Sequence, residues 1–190
     1  MPRSASGSAE SASPLVRTLG HGTRSTDELV GLLRDAGIQT LIDVRRFPTG
    51  RRQPHLAREA LSESLPGAGV QYEWWGESLG GRRRPSPDAQ ATGWRNPAFA
   101  AYEEHMATTE FRDALAALEQ RARRGERLAI MCAETVWWRC HRRLIADALV
   151  RDGLAVEHLI DRVPGRPHPD QARPPRSSRN ASIRSAAGKA

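Results

Sequence analysis

Lysine is almost absent from this chain: of 29 basic residues only Lys189 is a lysine, and the other 28 are arginines. In an Ala- and Arg-rich sequence that bias is compositional and says nothing about function. Cysteine is scarce too. Cys132 and Cys140 are the only two, too few for a disulfide framework and better read as thiols in a reducing compartment. Aromatic residues make up 5% of the chain. The longest apolar run, Leu128 to Ala133, falls far short of the roughly 20 residues a membrane-spanning helix needs. The first residues, MPRSASGSAESASP, are small and polar without an apolar stretch, so no secretory signal is expected and the cytoplasm is the expected location. No internal repeat is present.

The rest of the composition fits one domain with tails: 190 residues, 38% hydrophobic and 27% charged, with a mean hydropathy of −0.59 that leaves part of the chain outside any core. The formal charge is +7, and its location matters more than its size. Residues 162–190 carry six arginines and Lys189 against Asp170, a net +6, and residues 1–14 balance Arg3 with Glu10. The remaining 15–161 are left with +1. Residues 1–14 are expected to be a disordered tail, and 162–190 a disordered Pro- and Arg-rich one able to contact nucleic acid or another polyanion.

Between the tails the hydrophobic period alternates. Strands are expected at Leu15–Leu19, Thr40–Val44, Val70–Trp75, Leu128–Met131 and Ala155–Ile160. Helices are expected after Ser25, whose spacing to Glu28 is that of a capping box, over Leu56–Leu65, after Asn96-Pro97, along the Phe111, Leu115, Leu118 and Ala122 stripe, and from about Trp138 to Arg151. This pattern predicts an α/β fold: a single Rossmann-like three-layer sandwich, a mostly parallel sheet of about five strands flanked by helices. The polar stretch Gly76–Arg95 reads as a long functional loop.

Ligands of such a sheet sit beyond the carboxyl ends of its strands. There the sequence places His21, then Asp43, Arg45, Arg46, Arg51 and Arg52, then Gly80, Gly81 and Arg82 to Arg84, then Cys132 and Glu134, with Arg139, His141, Arg142 and Arg143 following. Ten arginines on one edge suit an anion held in a two-pronged grip; paired or solvated surface residues are the plainer reading. Cys132, at a strand exit facing a helix start, is the candidate reactive thiol. Two thiol mechanisms fit incompletely. A phosphatase loop wants Arg six residues after Cys, where Trp138 stands and Arg139 comes one late. Leu41-Ile42-Asp43-Val44-Arg45 looks like a rhodanese element, yet the Ala133–Trp137 segment lacks a cradle glycine. Glu134 is a candidate general base beside His21 and His141, or an ion-pair partner of Arg139 or Arg142. His141 and Cys140 also fit as packing residues of the last helix. A metal site of Cys132, Cys140, His141 and His21 is conceivable, but neighbours on a helix point about 100° apart. No cofactor is therefore expected, metal binding by Cys132 and His141 being the disfavoured option. Trp74, Trp75, Trp137 and Trp138 flank the same edge, some as core and others as stacking surfaces for a planar ligand.

Taken in order, Thr18-Leu19-Gly20-His21, Asp43-Val44-Arg45 with Pro48 and Arg51, Leu79-Gly80-Gly81-Arg82, Phe99 with Tyr102 and Met106, Met131-Cys132-Ala133-Glu134 and Cys140-His141-Arg142 resemble the family called domain of unknown function 488, over about residues 15–160. The resemblance implies an α/β sandwich with these residues in one pocket, and it brings no established reaction. Where the family shows Ser after the first His this chain has Gly22-Thr23, so a hydroxyl role there shifts to Thr23. The expected site is Cys132, Glu134, His21 and Asp43 for chemistry, with Arg45, Arg51, Gly80, Gly81, Arg82, Tyr102, His141 and Arg142 for substrate. The leading expectation is a small enzyme acting on an anionic, phosphate-bearing substrate, a nucleotide or nucleic acid. The alternatives are a non-catalytic ligand or nucleic-acid binding module, and a rhodanese-like or phosphatase-like thiol enzyme.

Overall fold

The structure, a computed structural model, describes residues 14–86, 94, 96–161 and 163–169; residues 1–13 and 171–190, the bulk of the two expected tails, lie outside that set. Six strands form one sheet in the order β3-β2-β4-β1-β5-β6: β1 Leu15–Gly20, β2 Thr40–Asp43, β3 Gln71–Trp74, β4 Leu128–Cys132, β5 Ala155–Leu159 and β6 Arg166–Pro167. The first five run parallel and β6 pairs antiparallel with β5. Helices α1 Thr26–Asp35, α2 Arg58–Gly67, α3 Pro97–Met106, α4 Thr109–Arg123 and α5 Arg142–Arg151 connect them.

The two faces follow from strand alternation. On β4, Ala129 and Met131 join Leu19, Leu41, Leu29, Leu33, Leu61 and Leu65 in a core under α1 and α2. Leu128, Ile130 and Cys132 join Val16, Ile42, Val156, Phe111, Leu118, Ile145 and Leu149 under α3, α4 and α5. The chain therefore leaves β1 and β2 on one face and β4 on the other, which opens a crevice at the carboxyl end of β4, the usual ligand position of a doubly wound sheet. Local signals hold at the caps. Ser25 and Glu28 form a reciprocal capping box, Asn96 accepts from the Ala98 N–H, and Thr108 caps α4.

Two expectations are corrected. The last helix does not begin at Trp138: Trp137–Arg139 form a single 3-10 turn, Cys140 is extended (φ −115°, ψ 150°), and α5 starts only at Arg142. The tail does not begin at residue 162 either. Pro167 and Arg166 pair with Glu157 and His158, and His168 is buried. A polar chain of bonds holds that segment down. Asp147 can only accept, so with both rings neutral the Thr18 hydroxyl, which accepts from Arg142 Nη1 at 3.1 Å, donates to His158 Nδ1 at 2.8 Å. His158 Nε2 then donates to His168 Nδ1 at 3.0 Å, and His168 Nε2 donates to Asp147 Oδ1 at 2.7 Å. Trp137 lies flat on His158, centroids 4.1 Å apart.

Candidate active site

Two glycines let the site close. A Cβ on Gly20 would lie 1.9 Å from the Glu134 carbonyl oxygen, and one on Gly81 would lie 2.6 Å from His141 Nδ1. The first lets the loop after β4 ride directly over the end of β1, where the His21 and Gly22 N–H groups donate to the carbonyls of Cys132 and Ala133 at 2.9 and 3.0 Å. The second lets the β3 loop pack on an imidazole ring. Gly80 serves the same loop, since a Cβ there would meet the Gly76 carbonyl oxygen at 2.1 Å.

Between these loops opens a cavity of about 470 Å³, within the range of small-molecule sites. Among the described residues its arginines are Arg45, Arg46, Arg82 and Arg139, and its single acid is Glu134. Tyr102, Phe99 and Phe47 give it aromatic walls, and Cys132, Cys140 and His141 line it together. Arg46, Arg82 and Arg139 make no ion pair within 4 Å among the described residues. Arg82 sits at φ 56°, in the left-handed region, a backbone cost that non-glycine residues tend to bear at functional sites.

Arg45 and Asp43 have a different task. Asp43 is completely buried. Its oxygens accept from the Arg45 backbone N–H and Nε, both at 2.9 Å, from Arg45 Nη2 at 2.5 Å and from the Tyr72 hydroxyl at 2.7 Å. Arg45 Nη1 donates to the Leu56 carbonyl at 2.9 Å and to His21 Nε2 at 3.1 Å. The guanidinium is thereby spent inside the protein, tying β1, β2 and the segment before α2 together. His21 Nδ1 donates to the Gly22 carbonyl at 3.0 Å, so its ring is the neutral tautomer. Burial, reinforced by the Arg45 charge, pulls its pKa down to about 4. Its two nitrogens are both occupied and the ring is outside the cavity lining.

Arg142 is likewise buried. It donates to Thr18 and, through a short contact, to the Glu134 carbonyl, so it stands behind the cavity wall and holds the loop there. Tyr102 gives its hydroxyl to the Leu79 carbonyl at 2.7 Å and offers the cavity its ring, 5.0 Å from that of His141. Burial pushes its phenol well above the usual range. Arg51 is exposed and outside the lining. Thr23 is exposed and outside it as well. The hydroxyl beside Gly22 is that of Thr135, whose Oγ1 would be 2.4 Å from a Cβ there. Trp74, Trp75, Trp137 and Trp138 are also absent from the lining.

At the cavity floor the two sulfurs and His141 Nδ1 lie within 4.8 Å of one another. Cys140 Sγ is 3.5 Å and Cys132 Sγ 4.0 Å from Nδ1. The thiols are a coupled pair: the Cys132–Cys140 hydrogen bond lowers Cys140 and, with burial, raises Cys132. Cys140, which its helical spacing to Leu144 marks as packing, thus lines the cavity beside Cys132. The adjacency of Cys140 and His141 is the available signal in the sequence, and a helical reading of both residues hides it. Glu134 reaches the cavity from its rim, where Oε1 accepts from the Val136 N–H at 3.2 Å.

The fold and this crevice together define a doubly wound α/β protein carrying a thiol and imidazole cluster beneath an arginine rim. The family described as domain of unknown function DUF488 matches residues 25–149, and the chain belongs to it; the match begins just after the Thr18–His21 motif. No curated protein and no solved structure matches the chain. Among the described residues no helix is long and apolar enough to cross a membrane.

Proposed function

We propose that the cavity is the active site of a small enzyme that binds an anionic, phosphate-bearing substrate, a nucleotide or the end of a nucleic acid. The reading is supported chiefly by one observation: Arg46, Arg82 and Arg139, without an ion pair among the described residues, share a 470 Å³ cavity with the Cys132, Cys140 and His141 cluster and with Glu134. Three guanidiniums without an ion pair among the described residues favour a multiply charged anion. The aromatic walls suit a planar group attached to it. Glu134 then takes or returns a proton at the substrate, and the sulfur and imidazole cluster supplies the reactive or polarising group. Asp43, Arg45, His21 and Arg142 act in this reading by positioning the loops.

The test is ligand-dependent thermal stabilisation of the full chain by inorganic phosphate and by nucleoside mono- and diphosphates. Arg82→Ala and Arg46→Ala should each weaken phosphate-ligand affinity about tenfold or more, as loss of a charge-assisted bond implies, and leave the unliganded melting temperature near wild type. Stabilisation that is absent, or indifferent to both substitutions, would sink the reading. Arg51→Ala serves as control and should change affinity little.

The basic residues 171–190 contribute a net +5 and fit a separate, salt-sensitive attraction to polyanions. Cutting the chain after Asp170 is expected to reduce DNA retention at low salt and to leave binding of a small phosphate ligand unchanged. Cutting after Asp161 also removes β6 and His168 and should lower the melting temperature. Equal stability of the two truncated chains would show that the β6 segment contributes nothing.

A further inference from the structure

We infer that Cys132, Cys140 and His141 form a binding site for one thiophilic metal ion of the zinc type, with its fourth coordination position open to the cavity. The inference stands on the cluster alone and does not need the anion reading.

Tetrahedral zinc with Zn–S near 2.3 Å and Zn–N near 2.0–2.1 Å places its sulfur and nitrogen ligands about 3.6 Å apart and its two sulfurs about 3.8 Å apart. Here the sulfur-to-Nδ1 separations are 3.5 and 4.0 Å, and all three atoms lie within 4.8 Å of one another. Closing the triangle onto an ion changes the two sulfur-to-Nδ1 separations by a few tenths of an ångström and the sulfur-to-sulfur separation by at most about 1 Å. Two thiolates and an imidazole select soft or borderline ions over magnesium or calcium.

The backbone explains why adjacent residues can share one ion. On a helix Cys140 and His141 would diverge; in the structure Cys140 is extended and α5 begins one residue after His141. Cys132 arrives from the end of β4. The imidazole is pinned from both sides, by Gly81, which has no room for a Cβ, and by the Tyr102 ring at 5.0 Å. Among the described residues Nδ1 meets only the two sulfurs, so no oxygen or nitrogen of the protein claims the lone pair a metal would use. All three ligands line the cavity. Three protein ligands with a fourth position facing a cavity is the arrangement of catalytic zinc rather than structural zinc. Glu134, two residues after Cys132, lines the cavity outside the ligand group and would serve there as an acid or base rather than as a fourth ligand.

The experiment uses the full chain, reduced, stripped with a chelator and checked for two free thiols. Zinc is titrated against a chromophoric chelator, and cobalt(II) is added as a spectroscopic stand-in. One zinc per chain and a sulfur-to-cobalt charge-transfer band are expected. Cys132→Ser, Cys140→Ser and His141→Gln should each weaken zinc binding at least a hundredfold. Should any of these fail to fold, Gly81→Ala keeps every ligand and only displaces the ring; a drop of about tenfold or more is expected there. Bound zinc should also slow alkylation of both cysteines. No zinc uptake by the reduced protein, no charge-transfer band, or affinity unmoved by all four substitutions would overturn the assignment. Phosphate binding is measured on the same stripped protein. Zinc uptake without phosphate binding removes the anion reading and keeps this one, and phosphate binding without zinc uptake does the reverse.

Discussion

Replacing Asp43 with alanine is expected to cost about 3–5 kcal/mol of folding stability, the loss typical when one partner of a buried ion pair is removed. The carboxylate has no exposed surface and accepts from three groups of Arg45 and from Tyr72. Without it a guanidinium stays behind at 8% exposure with, among the described residues, the Leu56 carbonyl and His21 as acceptors. Asp43→Asn keeps the volume and some of the bonds, so it should fall between wild type and alanine. Urea unfolding followed by circular dichroism measures both. A loss under about 1 kcal/mol for the alanine variant would mean that Arg45 finds water or another acceptor, contrary to the packing described.

Acid should destabilise the protein earlier than carboxylate titration alone allows. Burial lowers His21 to about 4, helped by the Arg45 charge, and lowers His158 to about 3, helped by its neighbour His168. Burial lowers His105 as well. An unfolded imidazole takes its proton near pH 6.5. The unfolded chain therefore binds more protons than the folded one below that pH. Stability is complete above about 6.5 and declines as pH falls toward 4, by about 1.4 kcal/mol per pH unit for each such proton. Glu28 and Glu126, held low by Ser25 and by Arg121 respectively, add to the decline once pH falls into the ordinary carboxylate range and below. Urea midpoints at pH 7, 6 and 5 test this. A midpoint that stays flat down to pH 5 would show that these imidazoles are protonated in the native state.

How far the sequence can be read depends on whether a feature is local. Strand alternation, the Ser25 to Glu28 box and the Asn96-Pro97 start rest on neighbours a few residues away, and the sheet and its two cores follow from them. The parallel order, and hence the crevice at the end of β4, follows from the alternation of strands and helices. Partners are not legible. Arg45 and Arg142 look like Arg46 and Arg82 as bare charges along the chain; only the structure separates the two that are buried and spent on Asp43, Thr18 and a loop carbonyl from the two that line the cavity without an ion pair among the described residues. Trp137 to Cys140 has helical spacing and apolar content, but the chain makes one 3-10 turn and then straightens, which changes a divergent Cys and His into a convergent pair. The segment around His168 has the composition of a tail, and its burial depends on His158 and Asp147, ten and twenty-one residues away.

The bonds running from Arg142 through Thr18, His158 and His168 to Asp147 all point the same way, since the guanidinium can only give and the carboxylate can only receive. With both ends fixed in role, no bond of the row can reverse while the two rings stay neutral. The loop beyond β4 is thus bolted from behind, through Arg142, to the outer helix and to the final strand. Moving that loop to admit a guest would require breaking the Arg142 contact that ties it to the core.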